Sequence, residues 1–106
     1  MHLQITARKF EPTNGLRAYA ERSLAKLERY SDGIHNARVI LAPSPSAEKN
    51  QRAEVAVSVY RNTFSANAEG PTHEEAIDDC VKRLRRQVTS YKGRLRSKRS
   101  RAQARA

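Results

Sequence analysis

The sequence predicts an α+β fold: a four-stranded sheet with two helices packed on one face, in the order β-α-β-β-β-α. Three observations predict it. Apolar and polar residues alternate with a period of two in four short stretches. Two longer stretches, one after the first alternation and one after the last, carry apolar residues at spacings of three and four. Each of these helical stretches has a single apolar stripe, so one face of one sheet can cover both.

Residues 3–8 place Leu3, Ile5 and Ala7 on one side and Gln4, Thr6 and Arg8 on the other, a strand with one wet face. Phe10 and Pro12 end it, and Thr13 stands where a helix N-cap belongs. Over residues 14–30, Leu16, Ala20, Leu24 and Leu27 share one helical face, with Tyr19, Ser23 and Tyr30 along its edge. Arg22, Lys26 and Arg29 fall together on one flank of that helix. Ser31-Asp32-Gly33 ends it by turn chemistry. Residues 34–41 make a second strand with Ala37, Val39 and Leu41 inward, and a strand reached across a helix should pair parallel to the first.

Residues 42–51 hold two prolines and two serines and read as a mobile loop between strands. Ala53, Val55, Val57 and Val59 form the inner row of a third strand over residues 52–60. Arg61-Asn62 is the expected tight turn into a fourth strand, with Phe64, Ala66 and Ala68 inward over residues 63–68. Gly70-Pro71 breaks the sheet, and Thr72 with Glu75 has the Thr-x-x-Glu spacing of a capping box. Glu74, Glu75, Asp78 and Asp79 complement the positive end of the helix dipole. Ile77, Val81, Leu84, Val88, Tyr91 and Leu95 then continue a helix of about 24 residues. Residues 97–106 have no apolar face. The expected organisation is one domain over 1–96 and a basic, disordered tail over 97–106.

Charge is distributed unevenly along this frame. The last 27 residues hold eleven Lys or Arg and no Asp or Glu, whereas the first 79 sum to −1. On a helical wheel of about 100° per residue, Lys82, Arg85, Lys92 and Arg96 line one side of the second helix beside its apolar stripe, with Thr89 among them and Arg86 just beyond. Arg83 and Arg94 point to the opposite flank. A face that only solubilises would mix signs, because mixed charges give favourable pairs at i, i+4. A line of like charge opposes folding unless a polyanion neutralises it, so the pattern points to nucleic acid or the ribosome. No strand carries an aromatic pair for stacking bases, and no zinc-finger spacing or Gly-x-x-Gly clamp is present. Contacts should therefore go mainly to phosphates and sugars. A sheet with two helices on one face is also similar to the double-stranded-RNA-binding arrangement, an analogy of fold alone.

No catalytic centre is legible, and no cofactor or small-molecule substrate is expected. The sequence has no Gly-rich phosphate loop and no His-Glu-x-x-His. His2, His35 and His73 lack metal-ligand spacing and read as surface or turn residues. Cys80, the single cysteine, lies beside the apolar stripe and reads as a small core residue. One cysteine, no apolar run of membrane length and no signal-peptide pattern at the N-terminus suit a cytoplasmic protein.

Several separated segments match one family in order. The run Ile5-Thr6-Ala7-Arg8-Lys9-Phe10-Glu11, then Leu16-Arg17-Ala18-Tyr19, then residues 24–30 (LAKLERY) resemble the first half of the bacterial ribosome hibernation promoting factors, also called ribosome-associated inhibitor A or sigma-54 modulation proteins. Ala66-Asn67-Ala68-Glu69, Ala76-Ile77-Asp78 and Leu84-Arg85-Arg86-Gln87 resemble the family's last strand and helix, so the resemblance covers about residues 3–96. It implies the same β-α-β-β-β-α fold. It also implies binding to 16S ribosomal RNA of the 30S or 70S ribosome, in the channel where messenger and transfer RNA otherwise sit, with translation blocked in stationary phase or under stress. On matching positions it assigns the rRNA contact to Arg22, Lys26 and Arg29 of the first helix, to Lys82, Arg85, Arg86, Lys92 and Arg96 of the second, and, as a weaker candidate, to Arg8 on the first strand. The chain resembles the short form, without the domain that pairs ribosomes in long forms, so paired 100S particles would need a separate modulation factor. Two other readings stand beside this one: a regulator of sigma-54 transcription, which would need an apolar docking patch, and a general RNA-binding module.

Overall fold

A computed structural model of the 106-residue chain describes the backbone over residues 2–30, 33–44, 51–59 and 62–105, with side chains for those segments except residue 30 and residues 92–105. The element order is β1 (His2–Ala7), α1 (Asn14–Tyr30), β2 (Ile34–Pro43), β3 (Gln51–Val59), β4 (Asn62–Gly70) and α2 (His73–Arg105). The strands form one sheet in the order β1-β2-β3-β4. The crossover through α1 makes β1 and β2 parallel, with Ile5 opposite Val39, while β2–β3 and β3–β4 are antiparallel.

Alternation along the strands builds a single core on one face of the sheet. Val39, Leu41, Val55, Val57 and Val59 are fully buried there under Leu24 and Leu27 of α1 and Ile77, Leu84 and Val88 of α2. Leu3, Ile5, Phe64 and Ala66 are half-buried and pack against the same cluster from the outer strands. Gln4, Thr6, Asn36 and Arg38 point the other way, to a sheet face that neither helix covers.

Ile34 departs from simple alternation. Its pairing with Val59 and that of Asn36 with Ser58 differ by an irregularity in register, which brings both Ile34 and Ala37 inward across three positions. Asn62, expected in the turn, pairs with Val59 and opens β4, while Arg61 of the predicted Arg61-Asn62 turn lies outside the described residues. Most of the predicted loop over 42–51 also lies outside them; β2 itself runs two residues further than expected, to Pro43.

Both helix starts follow from their caps. The Leu16 N–H donates to Thr13 Oγ1 at 3.0 Å, and the Arg17 N–H to the Thr13 carbonyl at 3.0 Å. At α2, the Glu75 N–H donates to Thr72 Oγ1 at 3.2 Å and the Ala76 N–H to the Thr72 carbonyl at 3.2 Å. Helix α2 continues to Arg105, 33 residues in all, past the end predicted from its apolar stripe. Residues 97–105 contain neither Gly nor Pro and are rich in Lys, Arg, Ala and Gln, which favour helix without an apolar face.

Candidate nucleic-acid interface

Helices α1 and α2 lie side by side on the sheet. Tyr19 and Leu27 of α1 are matched in sequence order by Asp78 and Val81 of α2, so the helices run in the same direction. The Tyr19 hydroxyl donates to the Asp78 carboxylate, 2.7 Å from each of its oxygens, and ties the two helices near their N-terminal ends. That hydrogen bond raises the pKa of Tyr19, with burial and the negative charges of Asp78 and Glu74 adding to the effect and Arg22 opposing it.

Beyond this tie the helices enclose a groove of about 530 Å³, lined by Lys26, Leu27 and Arg29 from α1 and by Val81, Lys82 and Arg85 from α2. Val81 is half-buried and supplies the apolar surface of the floor, Leu27 is buried, and Lys26, Arg29, Lys82 and Arg85 are exposed around them. Lys82 and Arg85 also line a second hollow along α2, where Arg86, Thr89 and Ser90 join them. One continuous cationic surface thus starts between the helices and passes along α2. The local reason is helical phase. Ala76, Ile77, Cys80, Leu84 and Val88 face the core, and Lys82, Arg85 and Arg86 fall outside that arc.

The sequence-predicted cations divide into three groups. Lys26, Arg29, Lys82 and Arg85 meet at the groove, and Arg86 extends it. Arg22 is exposed on the α1 flank beside Tyr19. Arg8 is exposed just past β1, where its N–H donates to the Leu41 carbonyl at 2.9 Å. It continues the outward row of Gln4 and Thr6, so the structure puts it on the uncovered sheet face, apart from the groove. Lys92 and Arg96 lie within α2, and their side chains are outside the described residues.

Two groups take structural places that the sequence does not reveal. Arg83 belongs to the sheet: its Nη1 donates to the Asn67 carbonyl of β4 at 2.8 Å. His73, read from the sequence as a surface or turn residue, is half-buried; its ring stacks on Phe10 at 4.7 Å between centroids, and its Nε2 lies 3.3 Å from the Ala42 carbonyl oxygen. Cys80 is fully buried, with its thiol directed at the Ala53 carbonyl at 3.4 Å and the Ala66 carbonyl at 3.7 Å. Burial pushes that thiol up to about 11. Among the described residues, no three His, Cys, Asp or Glu side chains gather to hold a metal ion, and no helix is long and apolar enough to cross a membrane. The groove floor is the part of the site missing from the sequence reading. Its signal is Val81, the apolar residue at the edge of the α2 stripe nearest the cations.

Comparison with known proteins bears on the fold and the family. The chain is similar to the ribosome hibernation promoting factor of Escherichia coli K12, 34% identical over 97 residues that span 91% of this chain and 98% of that one. Its fold matches the N-terminal domain of Protein Y from Thermus thermophilus at a TM-score of 0.74 and 35% identity, covering 86% of this chain and 99% of that one. It also matches a ribosomal subunit interface protein from Coxiella burnetii at a TM-score of 0.75, a likeness of fold at 24% identity that covers 88% of this chain and 99% of that one. The family described as sigma 54 modulation protein / S30EA ribosomal protein matches residues 3–96, from the first strand through the groove and most of α2, and the chain belongs to that family.

Proposed function

We propose that this protein is a ribosome hibernation factor, a cytoplasmic, non-enzymatic silencer of translation. It binds the small ribosomal subunit through 16S rRNA in the messenger and transfer RNA channel and blocks that channel by occupying it. Lys26, Arg29, Lys82, Arg85 and Arg86 carry the contact, Arg22, Lys92 and Arg96 extend it, and Arg8 makes a separate contact from the other face of the sheet. Pairing of ribosomes into 100S particles requires a separate modulation factor. In this reading residues 1–96 are the binding domain, and residues 97–106 are a basic extension.

The observation that carries this reading is the convergence of cations from two helices on one groove. Clustered cations focus an electrostatic field toward a phosphate-rich surface far more than the same charges scattered over a protein. A transcription regulator would dock through an apolar patch, whereas the exposed flanks of α1 and α2 at this groove are cationic.

Sedimentation of a stationary-phase lysate tests the proposal. The protein should travel with 30S or 70S particles at low salt, with addition or omission of a modulation factor changing only the 100S fraction. Recovery solely at the top of the gradient would overturn it.

A further inference from the structure

The groove between α1 and α2 is chemically unlike a simple phosphate track. A phosphate oxygen needs hydrogen-bond donors, and pressing it onto carbon removes its water without replacing it. Here the cations stand at the rim while the apolar surface between them is the exposed part of Val81, with Leu27 buried. An occupant that satisfies both has a flat, hydrogen-bond-poor face and a phosphate beside it. A nucleotide with an unpaired base has this composition.

We infer that the groove is a binding site for one unstacked RNA nucleotide, its base lying on the exposed part of Val81 and its flanking phosphates on Lys26 and Lys82. This deepens the ribosome-binding reading and rests on it. The groove volume, about 530 Å³, lies within the range of small-ligand clefts, roughly 300–1,000 Å³, and suits a single nucleotide better than a duplex. Arg29 and Arg85 bring planar guanidinium groups to the same rim, and such planes stack on bases.

The continuation along α2 favours RNA over other anionic occupants. Lys82 and Arg85 are shared between the groove and the hollow with Arg86, Thr89 and Ser90. A chain with its base in the groove therefore meets further cations and hydroxyl donors where its next phosphates fall. A free nucleotide leaves that second hollow unused. An acidic peptide lacks the flat face that the floor and guanidinium planes accommodate.

The test uses the full chain and two fluorescent RNA hairpins that differ at one bulged position, which carries a base in one and is abasic in the other. Backbone charge is the same in both. At fixed ionic strength the hairpin with the base should bind about fivefold or more tightly than its abasic twin. Val81→Asn should erase that ratio, and the milder Val81→Thr should reduce it, with circular dichroism reporting the fold of each variant. Equal affinity for both hairpins, or binding to neither, overturns the inference. So does equal displacement of the hairpin by a mononucleoside triphosphate or a polyglutamate peptide. In each of these cases intact cosedimentation with 30S particles leaves the ribosome-binding proposal standing, so the two fail separately.

Discussion

The Arg83 guanidinium donates to the Asn67 carbonyl at 2.8 Å, and one turn further along α2 the Gln87 amide donates to the Ser65 carbonyl at 3.1 Å. Strand β4 is at the edge of the sheet, where its outward backbone groups would otherwise be open to pairing with another chain. Arg83 thus shields an edge, although it belongs to the same run of positive charge as its neighbour Lys82. Arg83→Ala should lower stability by about 0.5–1 kcal/mol, since the bond is exposed and water can replace it. Cosedimentation with ribosomes should be unchanged. Thermal melts and gradient profiles of the same preparation check both outcomes, and a loss of ribosome binding would move Arg83 into the interface.

Reversing Lys82, Arg85 and Arg86 to Glu should abolish ribosome association while the circular dichroism spectrum stays native, because all three are exposed and outside the core arc. For the wild type, affinity should fall with salt. If six to eight phosphates are neutralised, the log–log slope is about −4 to −7. A flat response would instead indicate an interface held by uncharged contacts.

Tyr19 gives the fold an alkaline limit. Its hydrogen bond to Asp78 raises its pKa above the unfolded value, so the neutral phenol is the form that the native state favours. The resulting stability is fully present below about pH 10 and is lost as pH rises through the raised native value. Spectrophotometric titration should find a tyrosine component ionising above the ordinary value of about 10, and Tyr19→Phe should remove that component. Because the bond ties α1 to α2, Tyr19→Phe should also weaken ribosome binding while keeping its salt slope.

Cys80 should resist thiol reagents in the native protein. The thiol is fully buried and its pKa is raised to about 11, so neither access nor thiolate is available near neutrality. The raised value means that native stability from the neutral thiol is complete below the ordinary value near 9 and declines from there through about 11. Labelling with a chromogenic disulfide should proceed only as fast as the protein opens, and denaturant should accelerate it. Rapid labelling of the folded protein would contradict this placement.

Most of the architecture is legible in the sequence because periodicity reports faces directly. The inward rows of β2, β3 and β4, the apolar stripes of both helices and the caps at Thr13 and Thr72 all stand where alternation and capping chemistry put them. Ile34 is not legible, because an irregular register changes its phase without leaving a residue signature. His73 is half-buried and meets Phe10 and Ala42, distant in the chain. The groove is legible in halves. Each wheel locates its own cations, but only the packing of α1 beside α2 makes them face each other over Val81, and the separation of Arg8 depends on which sheet face the helices cover. The end of α2 is set by intrinsic helix preference, which an apolar-stripe criterion does not see.

The interleaving of buried and cationic positions on α2 makes its packing and its proposed ribosome contact separable by substitution and inseparable by insertion. Lys82, Arg85 and Arg86 alternate along the chain with Cys80, Leu84 and Val88, about 100° of rotation apart per residue. A single residue inserted between Ile77 and Lys82 would turn every later position by that angle. Lys82 and Arg85 would swing away from the groove, while Leu84 and Val88 would swing away from the core. Frame length within α2 is therefore the quantity that couples grip to folding, and a one-residue insertion should disable both where a charge reversal disables only one.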